Sequence, residues 1–277
     1  CWRLVITRTP AGYKHAAPLQ PRKIYDMTNE KTVLITGASS GIGHALALAY
    51  AERGMRLLLT GRDLTRLERA ASDCRTRGAE VHISTTPVTD RLSFEEQVEK
   101  WDDAHPIDIV IANAGISGGS SGGAGFYGIL HTNLDGTLHT VMPLIERMKA
   151  RKSGHIALMS SMAGWRGMPN APAYSVSKMA VRALGEALRP LLAPDGVRVS
   201  VIFPGFIKTP LTDVNDFSMP FLMDADKAAA CIKKGIEKNR ARIAFPLPML
   251  ILSRLVAALP LWLGDRVLAR APKKPDS

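Results

Sequence analysis

From Thr32 onward the chain alternates short apolar runs with longer amphipathic ones. Thr32–Thr36, Arg56–Thr60, Glu80–Ser84, Asp108–Ala112, His155–Met159 and Val197–Phe203 have the length and content of strands. Between them, His44–Arg53, Asp63–Arg77, Leu92–Asp103, a long stretch near Leu130–Ala150 and Ala173–Leu192 carry helical patterns. Asp63 stands where an N-cap is expected, and Gly54 and Gly78 stand where helices stop. A glycine-rich loop is expected from Gly115 to Gly128. Strand–helix alternation at this spacing requires crossover connections, and therefore a parallel sheet. The runs Leu57-Leu58-Leu59 and Ile109-Val110-Ile111 are apolar on both faces, as strands covered by helices on both sides must be. The pattern predicts an α/β fold with a doubly wound parallel sheet, a single domain over residues 27–245, followed by an apolar C-terminal extension over 246–277.

Composition narrows this picture. At 277 residues with 46% apolar side chains the chain can bury a full core, which excludes general disorder and low-complexity architectures. Three widely spaced cysteines, Cys1, Cys74 and Cys231, suit neither a disulfide framework nor a zinc site, and a reducing, cytoplasmic setting is the simplest reading. The seven histidines are scattered, so no metal is expected.

The net charge of +11 lies at the two ends. Residues 1–26 hold five Lys/Arg and one Asp; residues 227–277 hold eleven Lys/Arg and three acids; the body between them is nearly neutral. A nucleic-acid enzyme would more often spread basic residues over its working face, so no nucleic-acid partner is expected. Basic ends beside apolar sequence suit an anionic membrane surface, or are solvated tails. Residues 1–26 lack the apolar run of a signal peptide, and Met27 reads as a natural start, so these residues are expected to be a poorly ordered extension that adds little to the fold.

The first strand ends in Thr36-Gly37-Ala38-Ser39-Ser40-Gly41-Ile42-Gly43, with a helix behind it. Glycines there let the backbone turn sharply and approach a pyrophosphate, and the helix N-terminus offers free N–H groups and partial positive charge. The alternative is a tight turn without a ligand. Position in the first strand–turn–helix unit favours the dinucleotide reading, a Rossmann-type arrangement. No Lys-Ser/Thr follows Gly43, which excludes a P-loop. The second strand ends in Thr60-Gly61-Arg62, without the acid that commonly takes the ribose hydroxyls of NAD. Arg62 can pair with a 2′-phosphate, so NADP(H) is expected over NAD(H), unless Arg62 is simply a solvated residue at the helix start.

Strand His155–Met159 ends in Ser160-Ser161; Tyr174 follows thirteen residues after Ser161, and Lys178 four after Tyr174. Positions i and i+4 share a helix face. A phenol with its ordinary pKa of about 10 is too weak an acid for neutral-pH proton transfer. A lysine cation at about 4 Å contributes roughly 4 kcal/mol at an effective dielectric near 20, enough to lower that pKa by up to about three units. A Tyr-x-x-x-Lys pair by itself is more often an exposed helix face. Together with the glycine turn and the serine after a strand it points to acid–base chemistry.

In these motifs the sequence resembles the short-chain dehydrogenase/reductase family, over most of residues 32–210. The Thr36–Gly43 turn (Gly37, Ser39, Ser40, Gly41, Ile42, Gly43) resembles the family's cofactor loop, and Asn113-Ala114-Gly115 the segment after its fourth strand. Asn133, Ser161, Tyr174 and Lys178 match its catalytic group, and Pro204-Gly205-Phe206-Ile207-Lys208-Thr209 its contact with the nicotinamide end. Pro204, Gly205, Ile207 and Thr209 are the cofactor contacts this implies. The resemblance implies that Tyr174 exchanges a proton with a carbonyl or alcohol oxygen, while Ser161 rather than Ser160 hydrogen-bonds that oxygen. It implies that Lys178 lowers the tyrosine pKa and holds the nicotinamide ribose, and that Asn133 anchors a relay water. A homodimer or homotetramer built on the two long helices is also implied. The sequence departs from the family at Pro87, where an acid is common before Val88-Thr89-Asp90; the Val88 backbone could still serve the adenine.

Leu211, Phe217, Met219, Phe221, Leu222 and Met223, with Trp165 and Met168, are expected to line an apolar pocket, although any one of them is as readily core. As a group they favour a lipophilic ketone or alcohol, such as a steroid, retinoid, fatty-acyl or aromatic carbonyl compound. Ile243–Leu263 carries one charge, Arg254, but prolines 246, 248 and 260 leave only eleven uninterrupted residues, too few to span a bilayer. Residues 246–274 are expected to lie on a membrane surface, to cap the substrate pocket or to join subunits. Two other functions stay open on sequence: a non-catalytic cofactor-binding sensor or scaffold of the same fold, and a lipid-surface binding protein.

Overall fold

A computed structural model describes residues 31–117, 125–212 and 218–269. The expected extension over residues 1–26, the centre of the glycine-rich loop, Phe217 and the basic residues after 269 lie outside the described residues.

Seven parallel strands form one sheet: β1 (Lys31–Ile35), β2 (Met55–Thr60), β3 (Glu80–Ser84), β4 (Ile109–Ala112), β5 (Gly154–Met159), β6 (Val197–Pro204) and β9 (Arg242–Phe245). Their spatial order is β3-β2-β1-β4-β5-β6-β9. Two further strands, β7 (Ile207–Lys208) and β8 (Met223–Asp224), pair with each other in a small separate sheet. The connecting helices are α1 (Gly41–Tyr50), α2 (Leu64–Thr76), α3 (Arg91–Ala104), α4 (Gly125–Leu130), α5 (Gly136–Arg151), α6 (Pro172–Leu192) and α7 (Ala225–Glu237), followed by α8 (Leu247–Ala258) and α9 (Leu261–Leu268).

Period-two alternation divides the core. Val33, Ile35, Leu57 and Leu59 face Leu46 of α1, Leu67 of α2 and Ile232 of α7. Their neighbours Leu34, Leu58 and Val110 face Phe94 of α3, Leu144 of α5 and Val181 of α6. Chain order runs outward in opposite directions from the β1–β4 pair, registered Ile35↔Ile111. The crevice beyond the carboxyl ends of two such strands is where an open α/β sheet takes its ligand.

The six strands read from sequence all form, with no end shifted by more than one residue. Several boundaries and elements differ from expectation. Helix α1 starts at Gly41 rather than His44, because the glycine turn is itself the first helical turn, and it ends at Tyr50. The long stretch near Leu130–Ala150 is not uniform: α4 begins inside the expected loop, and a π-helical turn over His131–Asp135 joins it to α5. Helix α7 and strand β9 are additions to the expected elements, and β9 places Ile243 and Phe245 in the core.

Helices α8 and α9 follow that last strand. Arg166, in the segment after β5, holds them by donating from Nη1 to the carbonyls of Val256 (3.0 Å) and Leu259 (2.9 Å). No helix among the described residues is long and apolar enough to cross a membrane.

Candidate active site

The glycine turn is fixed from three sides. Ala38 N–H donates to the Thr60 carbonyl at the end of β2. Thr36 Oγ1 accepts from the backbone N–H groups of both Asn113 and Ala114 at 3.0 Å, and Asn113 Nδ2 donates to the Thr36 and Gly37 carbonyls. Asn113 and Ala114 thereby tie the end of β4 to the turn across the β1–β4 crevice. Thr36 carries no signal of this in the sequence, although it is the residue that joins these two expected segments.

Gly43 must be glycine on space alone: a Cβ there would stand 2.1 Å from the Gly37 carbonyl oxygen and 2.7 Å from Asn113 Nδ2. Gly41 has φ +56°, and the position of its absent Cβ lies 3.1 Å from Thr209 Cγ2. The turn and the segment after β6, 168 positions apart, therefore meet. Ser40 sits at the N-cap of α1 with no side-chain cap bond, leaving first-turn N–H groups for a ligand, while Ser39 lies beside Gly61 and Ile42 packs against the core. A cradle closed by missing Cβ atoms and opened by free helix N–H groups fits a dinucleotide pyrophosphate.

Arg62 is exposed just past β2, and Asp63 is occupied in capping α2, accepting from Arg66 N–H at 3.0 Å. Val88 lies against Gly136 at the start of α5, and its carbonyl accepts from His139 Nδ1 at 2.8 Å. Gly205 N–H donates to the Phe245 carbonyl, so the segment after β6 is held by the end of β9. Ile207 is buried; its carbonyl accepts from Thr209 Oγ1 and Thr212 Oγ1, which stiffens the turn carrying Thr209.

The four expected catalytic residues converge between β4, β5 and α6. Ser161, two residues after the end of β5, caps a 3₁₀ turn at Met162–Gly164 by accepting from Ala163 N–H. Pro172 opens α6 with its ring already at helical φ, which places Tyr174 in the first turn and Lys178 one turn later. Tyr174 packs against Ile116, Ile129 and Ala173. Ser160 serves the scaffold instead, through a buried hydroxyl that donates to the Lys178 carbonyl at 2.7 Å. Asn133, fully buried in the π turn, accepts from Ile116 N–H (2.7 Å) and donates to the Ile116 carbonyl (2.9 Å) and to Ser177 Oγ (3.0 Å). Ser177 in turn donates to the Tyr174 carbonyl. π turns are enriched at functional sites because they swing one side chain out of helical register. Gly115 lies between Asn133 Oδ1 and Lys178 Nζ.

One expectation about this group fails. Lys178 Nζ donates to the Met159 carbonyl at 2.9 Å and stands 5.6 Å from the Tyr174 ring centre. Its ammonium is hydrogen-bonded to a β5 carbonyl, and the two influences that shift the Tyr174 pKa are burial and Ser161. Burial raises the Tyr174 pKa, and a hydrogen bond from Ser161 pulls against that rise. Burial also lowers Lys178 to about 8. The shared helix face is readable from i,i+4 spacing; the direction of a four-carbon side chain is not.

The expected pocket group is dispersed. Leu211, Phe221 and Leu222 are exposed between β7 and β8, and Met223 packs on the main core. Met168 N–H bonds Ser175 Oγ at the start of α6. Trp165 does not join them: it stacks on Phe203 at 5.0 Å under α8, with Arg182, Arg242 and Arg254 over its ring.

Among the described residues there is no group of His, Cys, Asp and Glu suited to a metal ion. Cys74 is buried, which pushes its thiol to about 11, and Cys231 is exposed.

Known proteins share this architecture. A family model described as short chain dehydrogenase matches residues 31–217. An uncharacterized oxidoreductase of Myxococcus xanthus is 37% identical over 245 residues, covering 87% of this chain and 97% of that protein. Another from Mycobacterium tuberculosis is 34% identical, covering 84% and 95%. Among solved structures, a short-chain dehydrogenase from Sphingobium yanoikuyae in complex with NADPH superposes with TM-score 0.70 at 26% identity, covering 89% of this chain and 98% of that one. One from Burkholderia phymatum in complex with NAD gives TM-score 0.73 at 26% identity, covering 90% and 98%.

Proposed function

The chain belongs to the short-chain dehydrogenase/reductase family, and on that premise we propose that it interconverts a ketone and a secondary alcohol with NADP(H), on a lipophilic substrate. Family membership makes it an NAD(P)-dependent oxidoreductase acting on CH–OH or C=O groups. The observation that carries the finer reading is the convergence of Ser161 and Tyr174, with Lys178 one helical turn on, beside a glycine cradle at the sheet's switch point.

The nicotinamide supplies or takes up the hydride. The turn from Gly37 to Gly43 would hold the pyrophosphate of the cofactor, and Thr209 and Asn113–Gly115, which adjoin that turn or the crevice, would contact it too. Tyr174 gives its proton to the carbonyl oxygen in reduction and recovers it in oxidation. Its raised pKa keeps it protonated at neutral pH, the form that reduction needs. Ser161 hydrogen-bonds the same oxygen and steadies the charge that develops there. Lys178, still largely cationic at neutral pH, would hold the ribose of the cofactor. Asn133 fixes the Ile116 peptide against α6 and has one Oδ1 lone pair left for a relay water.

NADP(H) selectivity is supported by Arg62, which is exposed past β2, and by the absence of an acid at Thr60-Gly61. A lipophilic substrate is supported by exposed Leu211, Phe221 and Leu222. Exposed Met142 on α5, with Val176, Met179 and Leu191 on α6, supports a dimer or tetramer joined through these helices.

The test is oxidation of NADPH, followed at the reduced nicotinamide band, with a panel of ketones of increasing apolar bulk and with NADH in parallel. Tyr174→Phe is expected to lower turnover by about 10²–10⁴-fold while leaving NADPH binding intact. Unchanged turnover in that variant would remove Tyr174 from the reaction, and a preference for NADH would reverse the cofactor assignment.

A further inference from the structure

The apolar C-terminal segment takes no part in the reaction just described, and its surroundings are unusual in charge. Helix α8 has no buried residue. Leu247, Ile251, Leu252 and Leu255 share one side of it and are all exposed, Leu247 at 64% and Leu255 at 62%. Leu261 and Trp262, at the start of α9, are exposed as well. Isolated exposed leucines need no explanation, but an apolar ridge along one side of a helix does.

Beside the ridge lies a cleft of about 250 Å³ lined by Trp165, Arg240, Arg242, Ala244, Leu250 and Arg254. Its floor is the indole of Trp165, whose Nε1–H is buried without an acceptor among the described residues. Arg254 stands over that ring at 5.2 Å and Arg242 at 5.4 Å. The carboxylate that reaches this cluster is Glu186, whose Oε1 already accepts from Arg182 and Arg242. Neither Arg240 nor Arg254 has an ion pair among the described residues, and no acid occurs in the sequence from Arg240 to Leu263. Arg254 belongs to both features: it projects from α8 at the margin of the ridge and lines the cleft.

We infer that this face docks on an anionic membrane surface: the α8 ridge enters the headgroup–acyl boundary, and the arginine cleft receives lipid phosphate. An interfacial helix combines apolar side chains on one side with Lys/Arg at its margin, as here. A second copy of this chain is the other occupant to consider. A two-fold contact sets the same patch of each protomer against the other, so it would bring these arginines together with only Glu186, already shared by Arg182 and Arg242, to offset them. Charge complementarity thus selects an anionic surface. The inference is independent of the redox reading, since none of these residues belongs to the proposed catalytic group.

The experiment is co-flotation of the full chain with phosphatidylcholine vesicles and with vesicles in which about a third of the lipid is phosphatidylserine. Binding to the anionic vesicles only, weakened by salt, is expected. Arg240→Gln combined with Arg254→Gln should lower vesicle affinity roughly thirtyfold, at about fivefold for each arginine. Ile251→Ser combined with Leu255→Ser should abolish flotation. Thermal unfolding and NADPH binding of both double variants verify that the fold persists. Should either fail to fold, Leu247→Ser alone, at the start of α8, replaces it and is expected to weaken flotation. No binding to anionic vesicles, equal binding to both kinds, or binding untouched by the variants would overturn the inference. So would lipid-free self-association that Ile251→Ser/Leu255→Ser removes.

Discussion

Around Ser161 and Lys178 the polar atoms are largely committed. Ser160 holds the Lys178 carbonyl, Lys178 the Met159 carbonyl, and Asn133 both sides of the Ile116 peptide. In α8 and α9 far less is committed: no residue of α8 is fully buried, Met249 and Leu250 pack partly on the Phe203 cluster, and the polar tie is one guanidinium, that of Arg166. The first region must hold reacting groups within hydrogen-bonding reach, and it does so through a buried network in which each bond fixes the next. The second presents a surface, which asks for no such accuracy. Arg166 joins the two, because it lies in the short segment between the serine after β5 and the tyrosine of α6.

Substitutions divide along the same line. The largest effect is expected at Lys178. A buried lysine held at about 8 instead of 10.5 weakens the fold wherever it must stay charged. Replacing it with the uncharged Met is expected to raise unfolding free energy by up to about 3 kcal/mol at neutral pH. The unfolded chain binds the additional proton between those two values, so the difference shrinks as pH rises from 8 to 10.5; urea unfolding across that range measures it. Turnover should be lost in the same variant.

Next is His155, buried in β5 and lowered to about 3, chiefly by burial and also by Arg198 and Arg189. Its Nε2–H donates to Ser200 Oγ, which passes its own proton to the Arg240 carbonyl. Below pH 6.5 the unfolded state takes up a proton that the folded state refuses, so stability falls with acidity. The loss is expected to reach about 2 kcal/mol near pH 5, and His155→Leu should flatten that limb of the denaturation profile.

Arg166→Ala crosses between the two regions. Loss of its carbonyl bonds is expected to cost about 1–2 kcal/mol and to raise amide hydrogen exchange in α9 while leaving α6 protected. The smallest effect is expected on the ridge itself. Leu255→Ala should stay within about 0.5 kcal/mol, whereas Leu188→Ala, a comparable leucine buried in α6, should cost about 3 kcal/mol. Equal costs at these two positions would erase the contrast.

Legibility in the sequence follows the same physics. Strands buried on both faces, such as Leu57-Leu58-Leu59, announce themselves by composition, and the glycine turn by its place after the first of them. The doubly wound sheet follows from these. Strand β9 does not, because Arg242–Phe245 is only four residues long and is followed, across Pro246, by the apolar residues of α8; pairing with the edge of β6 is what makes it a strand. The catalytic residues are legible as spacing. Their electrostatics are not, since the Lys178 ammonium turns to a carbonyl on β5 that no local rule names. Trp165 departs from expectation for a similar reason: three arginines from distant segments claim an aromatic ring that sequence proximity assigns to the pocket.

Asn133 has one more consequence. Its amide gives and takes a hydrogen bond with a single residue, as one peptide unit does with another across a ladder. The side chain thus stands in for a missing strand neighbour of the segment that leaves β4. Aspartate has the same outline but only acceptors, and would meet the Ile116 carbonyl oxygen with a like charge. At this position exchanging a single amide nitrogen for oxygen would turn a splint into a wedge.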